Sequence, residues 1–254
     1  MTGRLADKIS VIAGVGGGIG SACALSFARE GAKVVGCDVA SDRANAIRDE
    51  AVRHGITMDV LAPVDLAKPD EVTRFIDSVG RRYGRIDVLV NATAHVHMAW
   101  IEAMTNDQFR EVLVNEVDVV FQTCRAAWPH MKRNGGSIIN FSSVNAWMAV
   151  EALPSIAHTA GKAAVLGMTR QLAMEGAPHG IRANTVTPGL IVTPATEQVM
   201  TKRPEFRKVL DRKIMLGRLG RPQDIANCCV FLGSDESEWV TGADFRIDGG
   251  MMAW

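Results

Sequence analysis

The chain is poor in aromatic residues, has almost no tyrosine and carries no excess charge of either sign. Tyr83 is its only tyrosine, and aromatic residues make up 6% of the 254 positions. The 28 basic residues balance the 28 acidic ones and form no cluster, so no nucleic-acid-binding surface is expected. No apolar run is long enough to span a membrane, and no apolar signal segment precedes the first strand pattern. These absences predict a cytoplasmic protein that contacts neither nucleic acid nor membrane.

Cysteine spacing and chain organisation give two further expectations. The five cysteines are odd in number and lack the spacing of metal ligands, which is typical of free thiols in a reducing compartment. No linker, low-complexity tract or repeat divides the chain. Residues 1–254 are therefore predicted to form a single domain, and a hydrophobic content of 47% is sufficient for a sizeable core.

Short apolar runs alternate with helical patterns along the whole chain. The runs lie at 8–13, 33–37, 60–64, 87–91, 137–141, 181–186 and 244–247, and the helical patterns at 19–30, 41–54, 69–79, 107–132, 158–177 and 222–232. This alternation predicts an α/β domain with a mostly parallel seven-stranded sheet and helices on both faces. Right-handed crossovers then give a doubly wound, Rossmann-type fold, in which ligands bind beyond the carboxyl ends of the strands.

A glycine-rich turn separates the first predicted strand from the first helix. Gly14, Gly18 and Gly20 are spaced so that backbone N–H groups at the helix start could bind a pyrophosphate. Gly17 and Ile19 belong to the same loop and are predicted to contact the same cofactor. Tight packing of the turn would also explain the glycines, but a strand before and a helix after favour a dinucleotide site.

Two aspartates follow the second and third predicted strands. A carboxylate at Asp38 could accept hydrogen bonds from both hydroxyls of an adenosine ribose and would repel a 2′-phosphate. The next residue is Val39, so no cation adjoins this acid in sequence. We therefore predict NAD(H) as the cofactor. Asp38 and Asp65 could instead be caps of the helices that follow them.

The later motifs resemble those of the short-chain dehydrogenase/reductase family, and the resemblance extends over essentially the whole chain. They include Phe141-Ser-Ser143, the segment Ser155-Ile-Ala-His-Thr-Ala-Gly-Lys162 and the segment Arg182-Ala-Asn-Thr-Val-Thr-Pro-Gly189. The resemblance implies an oxidoreductase that interconverts a secondary alcohol and a ketone with a nicotinamide cofactor. It also implies a homotetramer.

Further cofactor contacts are implied by the same resemblance. Asp65 would contact the adenine amino group, and Asn91 would lie near the cofactor ribose. The residues expected to hold the nicotinamide carboxamide are Pro188, Gly189, Ile191 and Thr193. The family usually reads Asn-Asn-Ala-Gly where this chain reads Asn-Ala-Thr-Ala at 91–94, so the loop near the ribose is altered.

The resemblance places four residues at the reacting centre. Asn115 matches a helix asparagine that holds a water of the proton relay, and Ser143 matches the residue hydrogen-bonded to the substrate oxygen. Lys162 matches the lysine that binds the nicotinamide ribose. The family's tyrosine acid/base is replaced by His158, which lies on the same helix face as Lys162. Imidazole can donate or accept a proton near neutral pH, but its nitrogen falls about 2 Å short of a phenol oxygen.

Three interpretations of His158 stay open at this stage. It could be a working acid/base, or a relic in a protein that binds NAD(H) with little or no turnover. It could also be a histidine introduced into a tyrosine enzyme. Because a neutral imidazole accepts protons, a working His158 would suit alcohol oxidation better than ketone reduction.

The loops after the fourth, fifth and sixth strands are expected to face the substrate. Their candidate lining residues are His95, Met98, Trp100, Met104, Trp147, Met148, Leu153, Ile191 and Met200. These side chains predict an apolar or ring-shaped substrate, although several could be core or subunit contacts. His95 and His97 alone make a poor metal set, so no metal site is predicted.

Overall fold

One parallel sheet organises the molecule, and it confirms the predicted fold class. The computed structural model describes residues 3–151, 153–202 and 212–254. Within them, seven strands pair in the order β3-β2-β1-β4-β5-β6-β7, and every neighbouring pair is parallel. The strands are β1 Ile9–Ala13, β2 Lys33–Cys37, β3 Asp59–Leu61, β4 Val88–Asn91, β5 Gly136–Phe141, β6 Ile181–Pro188 and β7 Asp244–Ile247.

Helices cover both faces of this sheet. They are α1 Gly18–Arg29, α2 Ser41–Arg53, α3 Pro69–Tyr83, α4 Asn106–Leu113, α5 Val119–Met131, α6 Ile156–Gly176, α7 Pro194–Lys202 and α8 Pro222–Gly233. One apolar cluster, with Phe27 and Ile225, lies under α1 and α8. A second, with Phe75, Met131 and Val165, lies under α3, α5 and α6. Since both faces are buried, only the strand ends are accessible to a ligand.

Three elements differ from the sequence prediction. The long helix expected at 107–132 is interrupted between α4 and α5 by a π-helical turn, Val114–Asp118, which hydrophobic periodicity does not reveal. The strand expected at 60–64 ends at Leu61, because Pro63 has no N–H to donate to the sheet. No helical pattern was predicted between residues 186 and 222, but α7, Pro194–Lys202, lies there.

The cysteines are free, as predicted. Four of the five are buried, and Cys228 is half-buried. Burial raises the pKa of the Cys124 thiol to about 12 and that of Cys228 to about 11, so neither forms a reactive thiolate at neutral pH. In the described part of the chain, no helix has the length and apolar character needed to cross a membrane.

Candidate active site

Two adjoining cavities open at the carboxyl ends of the strands. The strand order reverses between β1 and β4, where doubly wound sheets bind ligands. The first cavity, of about 280 Å³, is lined by Gly14 and Asp38 among others. The second cavity, of about 300 Å³, is lined by Ser143, His158 and Lys162. Both include residues 92–94 in their lining, so they form one continuous crevice.

The glycine turn forms a cradle whose shape requires glycine. Gly14 has a φ of +83°, and a Cβ there would come within 2.9 Å of the Ala92 carbonyl oxygen. A Cβ on Gly18 would come within 2.7 Å of the Thr193 methyl group. No side chain of the described residues caps the start of α1, so the amides of Gly18, Ile19 and Gly20 are available to an anion. The cradle therefore fits a pyrophosphate.

Asp38 is buried and already hydrogen-bonded by the loops around it. Its Oδ2 accepts a hydrogen bond from the Gly16 amide at 3.0 Å, and its Oδ1 accepts one from the Ala40 amide at 2.8 Å. Arg43 Nη2 also lies 3.3 Å from Oδ1, and its side chain lines the first cavity. The residue next to Asp38 in sequence is Val39, but the tertiary structure places a cation, Arg43, beside this acid. Arg43 reaches Asp38 because α2 brings it back over the strand end.

Asp65 and Asn91 have structural partners. Asp65 Oδ1 accepts a hydrogen bond from the Ala67 amide at 3.0 Å, in the turn before α3, and Asp65 also lines the first cavity. The residue at the N-cap of α3 is Lys68, so the capping alternative is wrong for Asp65. Asn91 is buried; its Nδ2 donates to Asn140 Oδ1 at 2.8 Å, and its Oδ1 accepts from the Thr123 hydroxyl at 2.7 Å. It lines neither cavity. The structure thus gives Asn91 a role in tying β4 to β5 and α5.

The segment after β6 forms part of the wall of the second cavity. The second cavity is lined by Ile19, Pro188, Gly189, Ile191 and Thr193, all of which were predicted to contact the cofactor. Three of the predicted substrate-facing residues line the second cavity: Met98, Leu153 and Ile191. His95 lines the first cavity, and Trp147 and Met148 line a separate pocket. The remaining three, Trp100, Met104 and Met200, line neither cavity. Met251, near the end of the chain, also lines the second cavity and was not predicted. The second cavity is mainly apolar.

The predicted catalytic residues divide between the two cavities. Ser143 and Lys162 line the second cavity, and Lys162 is only 4% exposed. The Ser143 hydroxyl accepts a hydrogen bond from the Asn145 amide at 3.2 Å, which fixes the turn after β5. Asn115 lines the first cavity and lies in the π-helical turn, where its Nδ2 donates to the Glu111 carbonyl oxygen at 2.9 Å.

His158 is paired with a buried carboxylate that sequence reasoning missed. Its Nδ1 lies 2.6 Å from Glu116 Oε1, and the two side chains are 14% and 0% exposed. Lys162 Nζ lies 3.8 Å from the same oxygen, while Oε2 of Glu116 has no hydrogen-bond partner among the described residues. The sequence signal for this contact was an acidic residue within the mostly apolar stretch 112–120. If that stretch is buried, its carboxylate needs a partner. Its partner could not be identified from spacing alone.

Gly161 provides the space for this carboxylate. A Cβ at position 161 would come within 2.8 Å of Glu116 Oε2. The π-helical turn places Glu116 against α6, and the glycine between His158 and Lys162 accommodates it. Gly161 therefore leaves the space that Glu116 needs in order to contact His158.

Sequence comparison finds relatives along nearly the whole chain. The family model described as enoyl-(acyl carrier protein) reductase matches residues 14–252. The 3-oxoacyl-(acyl-carrier-protein) reductase FabG of Thermotoga maritima is 36% identical over 251 residues, which cover 98% of this chain and 99% of that protein. A 3-alpha-(or 20-beta)-hydroxysteroid dehydrogenase of Mycobacterium tuberculosis is 34% identical over 259 residues, which cover 100% of this chain and 92% of that protein.

Solved structures share the same architecture. A short-chain type dehydrogenase/reductase from Mycobacterium marinum has a TM-score of 0.91 at 32% identity, and the match covers 98% of this chain and 97% of that one. A 7 alpha-hydroxysteroid dehydrogenase solved with NADH and 7-oxo glycochenodeoxycholic acid has a TM-score of 0.91 at 31% identity, with 97% and 95% covered. The parallel sheet, the glycine cradle and these matches agree: the chain belongs to the short-chain dehydrogenase/reductase family of oxidoreductases.

Proposed function

We propose that the protein is an NAD(H)-dependent oxidoreductase that interconverts a secondary alcohol and a ketone, with an apolar or cyclic substrate and with His158 as the acid/base. The observation that carries this proposal is the pairing of His158 with buried Glu116 beside Ser143 and Lys162. A buried carboxylate is costly unless it is paired, so its position opposite an imidazole supports a functional histidine.

The residues of the crevice fit the cofactor. Bound NAD(H) would supply hydride transfer, which the protein's own side chains cannot perform. The glycine cradle would hold the pyrophosphate, Asp38 the adenosine ribose, and Lys162 the other ribose. The segment at 188–193 would hold the nicotinamide end, since it lines the second cavity beside His158.

The pairing determines which nitrogen of His158 is available. Glu116 contacts Nδ1, and a carboxylate there accepts a hydrogen bond from Nδ1–H. A neutral imidazole with its proton on Nδ1 has its lone pair on Nε2. During alcohol oxidation, Nε2 would accept the hydroxyl proton, directly or through one water that compensates for the shorter ring. Ser143 would donate a hydrogen bond to the substrate oxygen.

Charge at the reacting centre is balanced by the same set of residues. Glu116 is one buried anion that lies near two basic groups, His158 and Lys162. When His158 takes up a proton, the carboxylate stabilises the resulting imidazolium, as an acid next to a general base does in other enzymes. In the reverse direction this imidazolium would donate the proton to the ketone oxygen.

The alternative function is an NAD(H)-binding protein with little or no turnover, which the shorter reach of imidazole favours. A panel assay separates the two. Cyclic secondary alcohols and ketones, hydroxysteroids and 3-oxoacyl thioesters, the last two taken from the names of the relatives, are tested with NAD⁺ or NADH between about pH 6 and 10. Turnover that His158→Ala abolishes supports the enzyme. Saturable NADH binding without turnover across the panel supports the alternative.

Cofactor choice depends on Asp38 and Arg43 together. We expect wild type to bind NADH more tightly than NADPH, because a 2′-phosphate would be repelled by Asp38. Asp38→Ala should reduce or reverse this preference, since it removes the repulsion and frees Arg43 for the phosphate. Arg43→Ala should increase the preference for NADH. Fluorescence titration of both cofactors measures it, and tighter NADPH binding by wild type would contradict the assignment.

Ser143 is expected to act on the substrate and not on the cofactor. Ser143→Ala should reduce kcat by about 10²-fold or more, because the hydrogen bond to the reacting oxygen is lost. Lys162→Ala should instead weaken NADH binding, because a ribose contact is lost. The two variants are compared by NADH titration and by steady-state rates. A Ser143→Ala protein with wild-type turnover would refute the role of Ser143.

We also propose that the protein is a homotetramer, as other family members suggest. Several apolar residues on α5 and α6 are buried within the chain, among them Val119, Val120 and Val165. Phe121 on α5 and Ile156 and Met174 on α6 are 52%, 41% and 61% exposed, so they are available for subunit contact. Light scattering of the purified protein tests this, and a monomeric mass at micromolar concentration would exclude it.

A further inference from the structure

A second cluster of histidine and carboxylate groups lies at the rim of the first cavity. Nε2 of His95 is 3.1 Å from Glu111 Oε1, and Nε2 of His97 is 2.9 Å from Glu111 Oε2. One ligand atom from each residue lies within 4.8 Å of the other two. The histidines come from the loop after β4, and the glutamate comes from α4.

The spacing of these atoms is close to that of a metal-ligand set. Zn²⁺ binds imidazole nitrogen and carboxylate oxygen at about 2.0–2.2 Å, which places ligand atoms of a tetrahedral site about 3.3 Å apart. The two imidazole nitrogens lie 3.1 and 2.9 Å from different oxygens of Glu111, a few tenths of an ångström below this value, and one ligand atom per residue lies within 4.8 Å of the other two. Because these side chains are 33% to 51% exposed, they can make the small adjustment. Two histidines and a carboxylate also leave a position open for water.

Hydrogen bonding alone does not account for the cluster. His97 bonds to Glu111 Oε2, but His95 Nε2 is shielded from solvent and has no hydrogen-bond partner in the part of the chain that is described. Its distance of 3.1 Å from Glu111 therefore lacks the angle that a hydrogen bond needs. An imidazole nitrogen that lies 3.1 Å from a carboxylate oxygen, with neither solvent nor a hydrogen-bond partner in the described residues, is a group that a cation bound between the two could satisfy.

The charge of the carboxylate is appropriate for a cation. The hydrogen bond from His97, with a smaller contribution from nearby His95, lowers the pKa of the Glu111 carboxyl below its usual range. Glu111 is therefore anionic at neutral pH. Metal binding also requires unprotonated imidazole, so it should weaken as the solution becomes acidic.

We propose that His95, His97 and Glu111 bind one divalent transition-metal ion of the Zn²⁺ type. Such an ion would connect the loop after β4 to α4. Asn115 Nδ2 donates to the Glu111 backbone oxygen, and both Asn115 and His95 line the first cavity. The ion would therefore hold the edge of the crevice in place while standing apart from the His158 centre.

The test uses full-length protein without a histidine tag, first treated with a chelator. Isothermal titration with ZnCl₂ is compared for wild type, His97→Gln and Glu111→Gln. His54→Gln is the matched control, because His54 is an exposed histidine at the end of α2. Thermal melting with and without Zn²⁺ checks that each variant is folded and gives a second readout of binding.

We expect one equivalent of Zn²⁺ to bind wild type and His54→Gln with equal affinity and to raise their melting temperatures. His97→Gln and Glu111→Gln should bind at least about tenfold more weakly, since loss of supporting residues alone costs that much. Zn²⁺ should raise their melting temperatures less than that of wild type. Absence of saturable binding to wild type, or equal binding by folded variants, would overturn the proposal.

Discussion

Replacing His158 by tyrosine is expected to lower both the stability and the turnover of the protein. The Nδ1 atom that contacts Glu116 corresponds to a C–H position of a phenol ring, so tyrosine leaves the buried carboxylate without its partner. Removing one partner of a buried pair costs about 3–5 kcal/mol, and Lys162 at 3.8 Å offsets only part of it. A misplaced acid/base lowers turnover by on the order of 10²-fold.

A double variant shows whether His158→Tyr loses activity because Glu116 is left unpaired or because tyrosine cannot act as the acid/base at this position. Glu116→Leu removes the carboxylate, so the double variant His158→Tyr with Glu116→Leu should be more stable than His158→Tyr alone. It should also be more active, because Ser143 and Lys162 are already in the second cavity. Urea unfolding and steady-state rates of wild type, both single variants and the double variant form a thermodynamic cycle. If His158→Tyr alone is faster than wild type, the histidine impairs a tyrosine enzyme and our assignment is wrong.

Replacing Glu116 by glutamine should reduce kcat by about 10²–10³-fold while NADH binding changes little. Glutamine keeps the shape of the side chain but removes its charge. Its amide can also donate to Nδ1, which leaves the imidazole in the tautomer that carries its proton on Nε2. Glu116 lines neither cavity, so it would act through His158. Glu116 is therefore a positioning residue.

Two companion variants separate positioning from general damage to the fold. Glu116→Asp keeps the charge and should recover part of the rate. Asp118→Asn removes the same charge from an exposed residue of the same π-helical turn, so its kcat should equal that of wild type. Equal kcat for Glu116→Gln and wild type would mean that the contact between Glu116 and His158 has no part in turnover.

Local patterns predicted the scaffold of the crevice well. The strand and helix runs, the glycine turn and the segment after β6 all depend on residues that are neighbours in sequence. Their boundaries shifted by at most four residues, at the end of α3, and at β3 Pro63 ends the pairing early. The π-helical turn was missed because a single turn is short compared with the continuous helical pattern at 107–132, and the valines on both sides of it keep that stretch apolar.

The sequence by itself determined the fold class, the position of the cradle and the identity of His158, Ser143 and Lys162 as one group. The first two follow from periodicity and from motifs within single segments, and the third is what the resemblance to the short-chain dehydrogenase/reductase family implies. Only the tertiary structure decided what these groups contact. Glu116 lies 42 positions before His158, and the pairing requires α6 to pack against the π-helical turn. Arg43 and Glu111 likewise reach Asp38 and the two histidines only through helix packing, because partners across elements leave no fixed spacing in the chain.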